Sequence, residues 1–345
     1  MRKKLLSVFG ILIFIFILVW FERNGITNEN NSSISKSGFY FDTIITITLY
    51  NTKDEAYLDE CFALADKYEH LLSASRPDSD ISKINAAGGN PVTVSNETIA
   101  LLKKGIYYGD LSEGRFDITI GKLSSLWDFS HNDGYIPDEA TIQDALSTVD
   151  YHNVEINGNT VTLKNPSSSI DLGGIAKGYI ADEMKAYLNK QGITSGTINL
   201  GGNVLTIGEK TTKEDYKIGI QKPFAEDGEA LAAISIKDAT VVSSGVYERY
   251  FEKNHTIYHH ILNPKDGYPY QNDLLGVTII CQNSVDGDGL STVCFSLGLT
   301  DGMKLIESLP DTEAIFITND NKLHTSSGIG SKIPFEILEN ERASY

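Results

Sequence analysis

Cysteine and basic residues are both scarce in this sequence, and each shortage excludes a class of protein. The 345 residues include three cysteines, Cys61, Cys281 and Cys294. Their number is odd and no CxxC spacing occurs, so neither a disulfide framework nor a zinc site is indicated. Lys and Arg total 29 against 46 Asp and Glu, which gives a net charge of −17. Such an acidic chain repels a nucleic-acid backbone, so we expect no nucleic-acid partner.

Proline is also scarce, with nine residues in all, and no proline-rich or charged linker interrupts residues 38–345. Hydrophobic residues make up 41% of the chain, which excludes a disordered protein and is enough for a buried core. Strand and helix patterns come in blocks without strict alternation. This favours an α+β fold, with largely antiparallel sheets and packed helices, formed as a single unit over 38–345.

The longest hydrophobic run lies at the N-terminus. Arg2, Lys3 and Lys4 precede Leu5–Phe21, which as a helix would reach about 26 Å, the lower end of a membrane span. No small-residue cleavage site follows, so we predict an uncleaved signal anchor over 1–23, with a cleaved signal peptide as the alternative. The polar segment 24–37 would be a tether, and the positive-inside rule places the rest outside the cytoplasmic membrane.

Hydrophobic periodicity predicts the main elements of the body. Alternation predicts one strand over 38–50, and helical spacing predicts helices over 54–72, 95–111 and 175–190. Asn157-Gly158 is typical of a hairpin turn. Further strands are predicted at 195–200, 203–208, 216–221, 231–237, 246–251, 256–262 and 274–281, followed by a helix from Asp288 to Leu297.

The first chemically suggestive cluster is Asp171-Leu-Gly-Gly-Ile-Ala-Lys177, which follows a strand end and opens a helix. Gly173 and Gly174 allow a ligand to approach the backbone closely, and a helix N-terminus attracts anions. Lys177 adds a positive charge one turn into the helix. The alternative is a strand–helix corner whose glycines serve packing only.

The second cluster is Asp288, Ser291 and Thr292, which stand at i, i+3 and i+4 and therefore share one face of a helix. Their oxygen atoms are hard ligands that suit Mg²⁺, and no His or Cys competes there. The alternative is that Asp288 is simply the N-cap of its helix.

The third cluster is the pair His259-His260, in a predicted strand. Neighbouring strand residues point to opposite faces, so only one imidazole can face a site. A neutral imidazole can accept a proton from a hydroxyl near pH 7. A tandem histidine on an exposed strand with no function is the alternative.

In the order and residue identities of its motifs, this sequence resembles the ApbE-type FAD:protein FMN transferases over about residues 38–335. The motifs are Leu72–Asn85, Gly114–Thr119, Asp171–Tyr179, Asn199–Asn203, Ser244–Tyr250, His260–Pro269 and Asp288–Thr292. The resemblance implies a single catalytic unit that cleaves FAD with Mg²⁺. It further implies transfer of FMN to a Thr or Ser hydroxyl of an exported acceptor protein, with release of AMP.

The resemblance also implies roles for individual residues. The Mg²⁺ ligands would be the Gly174 carbonyl, Asp288, Ser291 and Thr292. The residues that contact FAD would be Phe41, Ser75, Arg115, Phe116, Asp117, Asp171, Lys177 and Ile261. His260 is the candidate base, with Asp171 and Asp288 as alternatives.

The sequence departs from the family pattern at three points. Phe41-Asp42-Thr43 replaces the usual Met-Gly-Thr, and Ser75 stands where a tyrosine is common. The lipoprotein cysteine of exported relatives is absent, so a transmembrane anchor would replace it. The expected acceptors are exported flavin proteins of electron transfer. Two rival functions use the same residues: an FAD pyrophosphatase that releases FMN and AMP, and a non-catalytic flavin carrier.

Overall fold

The structure of this chain is a computed structural model that describes residues 33–131, 134–225 and 228–338. The predicted anchor at 1–23 lies outside these residues, as do residues 24–32 of the predicted tether. Within the described ranges, no helix combines the length and the apolar character needed to cross a membrane.

The helices and strands follow one another in blocks, as the sequence predicted. The helices are α1 Ala56–Leu72, α2 Asp80–Ala86, α3 Asn96–Leu111, α4 Gly121–Trp127, α5 Glu139–Leu146, α6 Ala176–Lys190 and α7 Ser284–Ser308. The strands are β1 Ser33–Tyr40, β2 Thr43–Tyr50, β3 Val92–Thr93, β4 Val154–Asn157, β5 Thr160–Leu163, β6 Ser195–Leu200, β7 Asn203–Gly208, β8 Tyr216–Gln221, β9 Ala230–Ile236, β10 Thr240–Gly245, β11 Tyr250–Lys253, β12 Thr256–His259, β13 Leu274–Cys281, β14 Glu313–Thr318, β15 Leu323–Thr325 and β16 Phe335–Ile337.

The main sheet has eight strands in the order β1-β2-β6-β7-β10-β13-β14-β15. Every neighbouring pair in it is antiparallel. Three smaller sheets, β16-β9-β8, β3-β5-β4 and β11-β12, are antiparallel as well. The predicted α+β fold with largely antiparallel sheets is therefore confirmed.

The main sheet is covered on both faces. On one face, Ile47 of β2 and Ile198 of β6 join Met184 of α6 and Val293 of α7 in the largest apolar core. On the other face, Val241, Ile280 and Ile315 pack against the small sheet β16-β9-β8, for example against Ile234 of β9. Because α6 and α7 lie in the first layer and contact each other, their N-terminal ends are held side by side.

Several predicted boundaries are wrong. The predicted strand 38–50 is the β1–β2 hairpin, which turns at Phe41 and Asp42, both at positive φ. Apolar residues alternate straight through this turn, so a period of two cannot reveal it, yet Phe39 is 68% exposed and Ile45 is buried. β1 begins at Ser33, so the last residues of the predicted tether are strand.

Of the predicted strand 246–251, residues 246–249 instead form the turn between β10, which ends at Gly245, and β11, which begins at Tyr250. The predicted strand 256–262 stops at His259. The helix predicted from Asp288 starts at Ser284, one turn earlier, and its backbone breaks at Gly298 (φ 77°), where the predicted helix ended.

Candidate active site

The glycine corner, residues 171–177, joins the end of a buried segment to the start of α6. The Asp171 N–H donates to the Ile118 carbonyl at 2.8 Å, and the Gly173 N–H donates to Asp171 Oδ1 at 2.8 Å. Ile175 is the N-cap of α6 and has no side chain that can accept a hydrogen bond. A helix start without its own cap leaves donors for a ligand or for another part of the chain.

Asp288 supplies that missing cap from a different helix. It is 5% exposed, and its Oδ2 accepts the Gly178 N–H of α6 at 2.9 Å. The N-cap of its own helix is Asn283, so the interpretation of Asp288 as that N-cap is wrong. A carboxylate at a helix N-terminus is stabilised by the helix dipole, which fixes Asp288 beside the glycine corner.

The structure brings the predicted metal ligands close to one another. The point where a Cβ on Gly174 would lie is 3.9 Å from Thr292 Oγ1 and 2.9 Å from the Phe116 ring. A side chain at position 174 would therefore press on Phe116, which gives a packing reason for glycine there. Glycine thus serves packing and also lets the backbone of residue 174 lie close to Thr292.

Ser291 is more enclosed than the other predicted ligands. Its hydroxyl is fully buried, donates to the Asp288 carbonyl at 2.8 Å and lies 2.7 Å from Ser244 Oγ. Thr292 Oγ1 lies 3.5 Å from the same Ser244 Oγ. The Ser291 hydroxyl is therefore already engaged within the protein.

The donor set of this corner fits one hard divalent cation. Asp288 Oδ1 makes no hydrogen bond with a described residue, and Thr292 and the Gly174 carbonyl add neutral oxygens. Over the parts of the chain that the structure describes, no group of three or more His, Cys, Asp or Glu residues could hold a metal. One carboxylate with hydroxyl and carbonyl oxygens suits Mg²⁺, which keeps several waters, and does not suit Zn²⁺.

The two histidines have different environments. His259 is 3% exposed; its Nε2–H donates to the Tyr270 carbonyl at 2.9 Å, and its Nδ1 accepts the Ile261 N–H at 3.3 Å. Burial lowers the pKa of His259 to about 4. His259 is therefore a neutral structural residue that ties the end of β12 to the Tyr270 segment.

His260 lacks such partners. Its backbone N–H donates to the Arg249 carbonyl, while its ring Nδ1 is buried without a hydrogen-bond partner among the described residues. Burial lowers the pKa of His260 to about 3, helped by His259 and by the positive charges of Arg249 and Lys177. An unpartnered imidazole that stays neutral at pH 7 can accept a proton. The electrostatic interaction of His260 with Lys177 shows that it lies near the glycine corner.

Glu248 is a site residue that the sequence interpretation did not single out. The Glu248 side chain is exposed at the protein surface, but neighbouring protein atoms partly desolvate it and raise its pKa to about 7; Lys177 and Arg249 oppose this rise, and Asp288 adds to it. The Tyr-Glu-Arg-Tyr run around it carries no spacing that separates a site carboxylate from a surface one. Its unusual pKa beside charged site residues is typical of a functional cleft.

Glu248 lines a cavity of about 460 Å³, here called the rim cavity. The residues that line it are Phe39, Asp42, Phe129, Ser130, His131, Glu248, Arg249 and Tyr250. Phe39 and Tyr250 are 68% and 43% exposed, so aromatic rings border its opening. The rim cavity thus combines charged groups, Glu248 and Arg249, with exposed aromatic rings.

The predicted FAD contacts at 115–117 lie in one loop. Asp117 is buried, and its carboxylate accepts the Thr119 N–H (2.7 Å), the Thr119 hydroxyl (2.6 Å) and the Tyr151 N–H (3.0 Å). Burial raises the pKa of Asp117. The Arg115 carbonyl accepts the Tyr270 hydroxyl at 2.9 Å. A second cavity of about 400 Å³ runs along this loop and includes Asp117 in its lining.

Three other predicted FAD contacts lie on separate segments. The Phe41 N–H donates to Glu69 Oε1 at 2.8 Å, and Glu69 also binds Arg76, next to Ser75. Ser75 follows α1 in an exposed loop, with its hydroxyl 3.0 Å from Ser73 Oγ. Ile261 is 5% exposed and follows His260 directly.

Comparison with known proteins agrees with this arrangement. The sequence profile of the ApbE family matches residues 41–316. FAD:protein FMN transferases from Klebsiella pneumoniae and Treponema pallidum are 38% and 31% identical to this chain; both alignments span 87% of it, and 93% and 88% of the relatives.

Solved structures show the same likeness. The flavin transferase ApbE from Vibrio cholerae superposes with a TM-score of 0.77 at 26% identity, covering 86% of this chain and 98% of that one. The ApbE protein from Thermotoga maritima superposes with a TM-score of 0.79 at 30% identity, covering 86% and 97%. This chain therefore belongs to the ApbE family.

Proposed function

We propose that this chain is an Mg²⁺-dependent FAD:protein FMN transferase. It would cleave FAD, attach FMN through a phosphoester to a Thr or Ser hydroxyl of an exported acceptor protein, and release AMP. The observation that carries the proposal is the junction of α6 and α7. There, Asp288 caps α6 at Gly178, beside the glycine corner and Thr292. The relatives from Klebsiella pneumoniae and Treponema pallidum are named FAD:protein FMN transferases, which supports the transfer of FMN from FAD to a protein.

The chain's own groups suit an FAD pyrophosphate at this junction. The pyrophosphate brings about two negative charges into an acidic protein, and the N-terminal end of α6 together with Lys177 offers positive potential. Asp288, Thr292 and the Gly174 carbonyl would hold Mg²⁺, with Ser291 as the fourth predicted ligand. Bound there, Mg²⁺ would supply charge neutralisation for the pyrophosphate oxygens.

His260 is the proposed general base. The acceptor hydroxyl would attack the FMN phosphorus in line, so that a new oxygen–phosphorus bond forms as the bond to the AMP phosphate breaks. The hydroxyl proton would pass to the neutral imidazole of His260. Asp171 and Asp288 are less suited to this role because each already accepts a backbone N–H. A solved variant of the Vibrio cholerae enzyme replaces a histidine by glycine, which singles out a histidine in that protein.

The place of action follows from the N-terminal sequence. Residues 1–23 would anchor the chain in the cell membrane, with the catalytic unit on the extracytoplasmic side. Acceptors would then be membrane or extracellular electron-transfer proteins that meet the enzyme there.

One experiment separates transfer from its rivals. Full-length protein in detergent is mixed with FAD, Mg²⁺ and a Thr-containing candidate acceptor, and the acceptor is weighed by mass spectrometry while AMP is measured. We expect one FMN per acceptor, equimolar AMP, and neither product when a chelator replaces Mg²⁺. Free FMN and AMP without labelled acceptor would identify a pyrophosphatase, and bound flavin without AMP would identify a carrier.

A further inference from the structure

Helices α6 and α7 cap each other. Asp182 of α6 accepts the Ser284 N–H at 2.8 Å through Oδ1 and the Val285 N–H at 2.9 Å through Oδ2. Those two N–H groups belong to the first turn of α7. In return, Asp288 of α7 accepts the Gly178 N–H of α6. We call this arrangement the reciprocal cap.

Neither helix has a cap of its own. The side chains of the N-cap residues Ile175 and Asn283 accept no hydrogen bond from a backbone N–H of their helices. Unsatisfied N-terminal donors in a buried place are costly, so each helix depends on the carboxylate of the other. Burial raises the pKa of Asp182 to about 6, so its carboxylate is charged at pH 7 and its two hydrogen bonds are charge-assisted.

The backbones also meet closely at this crossing. A Cβ on Gly178 would collide with the Ser284 carbonyl, so only glycine allows the approach. The Ser284 hydroxyl donates to Asn203 Oδ1 at 2.6 Å and accepts the Thr240 hydroxyl at 3.1 Å. Ser284 is therefore fixed by α6 on one side and by β7 and β10 on the other.

The reciprocal cap fixes the distance between the two halves of the proposed cation site. The Gly174 carbonyl stands just before α6, whereas Asp288 and Thr292 stand on α7. If the first turn of α7 slid along α6, Asp288 would lose Gly178 and Thr292 would move away from Gly174. Asp182 resists this movement although it is separate from every predicted ligand.

We propose that Asp182 is a positioning residue, which holds the start of α7 so that Asp288 stays bound to Gly178 and presents its other oxygen to the cation. The functional part of this proposal rests on the proposed Mg²⁺-dependent transfer. Its structural part, the coupling of Asp182 to the Gly178–Asp288 bond, does not.

The coupling is tested by amide hydrogen exchange on the full-length protein without FAD or cation. Asp182→Asn should speed exchange at Ser284 and Val285 directly, and at Gly178 through Asp288, by about tenfold each, the worth of a charge-assisted bond. The matched control is Glu183→Gln, the next residue, whose carboxylate accepts the Tyr68 hydroxyl of α1 at 2.8 Å. It should leave all three amides unchanged. Unchanged protection at Gly178 in Asp182→Asn would overturn the coupling.

Hydrogen exchange of the unmutated protein tests the same coupling, in case the variant does not fold. If the reciprocal cap opens as a unit, Gly178, Ser284 and Val285 share one opening free energy and one denaturant dependence. Added Mg²⁺ should raise the protection of all three amides together. Separate opening of Gly178 would contradict the proposal even without a usable variant.

The functional consequence is measured by calorimetric Mg²⁺ titration and by FMN transfer. Asp182→Asn should weaken cation binding about tenfold, with kcat at saturating Mg²⁺ within about twofold of the parent, and Glu183→Gln should change neither. Equal cation affinity in Asp182→Asn and the parent would refute the positioning role. If the unmutated protein itself neither binds Mg²⁺ nor transfers FMN, the proposed function fails, while the exchange experiment still decides the coupling.

Discussion

The α6–α7 junction and the rim cavity are built in opposite ways, although Lys177 belongs to the junction and also acts electrostatically on Glu248 of the cavity. At the junction, carboxylates are matched to backbone N–H groups at 2.8–2.9 Å, and the backbones touch. In the rim cavity, Glu248 and Arg249 face open space beside exposed aromatic rings. The junction is preorganised for a ligand of fixed charge, which costs no rearrangement on binding. The rim cavity, by contrast, is open to solvent and lined by side chains that can rearrange.

The largest expected effect comes from breaking the junction. Asp288→Ala removes the proposed cation ligand and the cap on Gly178, so FMN transfer should fall about 10,000-fold, measured as kcat/KM. Asp301→Asn is the matched control, because Asp301 is an exposed carboxylate further along α7. It should keep full activity. An Asp288→Ala protein that transfers FMN at the parent rate would remove the junction from the chemistry.

The next effect concerns His260, the proposed proton acceptor. His260→Ala should lower kcat about 1000-fold in steady-state assays at saturating FAD and Mg²⁺. His131→Ala, an exposed histidine of the rim cavity, is the control and should change kcat little. Because the pKa of His260 is lowered to about 3, the parent kcat should show no imidazole titration near pH 6.5. A parent-like rate for His260→Ala would end its assignment as base.

The buried His259, at the end of β12, should make the folding stability depend on pH. Its imidazole gains a proton below about pH 6.5 when unfolded but only below about 4 when folded, so between these values the unfolded state binds more protons. Stability should therefore be lost as the pH falls from 6.5 to 4, by about 3 kcal/mol in total. Urea unfolding of the parent minus that of His259→Gln isolates this contribution. A difference that does not depend on pH would contradict the buried neutral state.

The smallest effect probes the charge of the rim cavity. As the pH rises through the Glu248 pKa of about 7, a negative charge appears near Lys177 and should weaken FAD binding. We expect KM for FAD to rise by about fivefold between pH 6 and 8. Glu248→Gln should keep the low-pH KM throughout this range, and Glu252→Gln, an exposed carboxylate on the next strand, should behave as the parent. A parent KM without pH dependence would place Glu248 away from the bound dinucleotide.

The sequence was most informative where chemistry is local. The helix predicted over 95–111 is α3, and Ser95 caps it, its hydroxyl accepting the Thr98 N–H at 3.1 Å. The Asn157-Gly158 hairpin and the start of α6 after the glycine corner also agree with the prediction. In each case the signal lies within a few residues, so the chain needs no distant partner to express it.

The sequence was least informative where a residue acts across the fold. Asp288 looked like the N-cap of its own helix, but it caps α6, more than one hundred residues earlier in the chain. Asp182 and Glu248 carried no spacing signal at all, because their partners are brought to them by sheet and helix packing. The hairpin turn at Phe41 and Asp42 was hidden because hydrophobic alternation passes through it without a break.

The sequence by itself determined the fold class, the blocks of antiparallel strands, the family motifs and the candidate oxygen ligands, since each depends on composition or on residues close together in the chain. Only the tertiary structure decided which helix end each carboxylate caps, which of the two histidines keeps a free ring nitrogen, and that Glu248 enters the site. Those outcomes depend on packing α6 and α7 against one face of the sheet, and the burial and charge that result have no counterpart in local spacing.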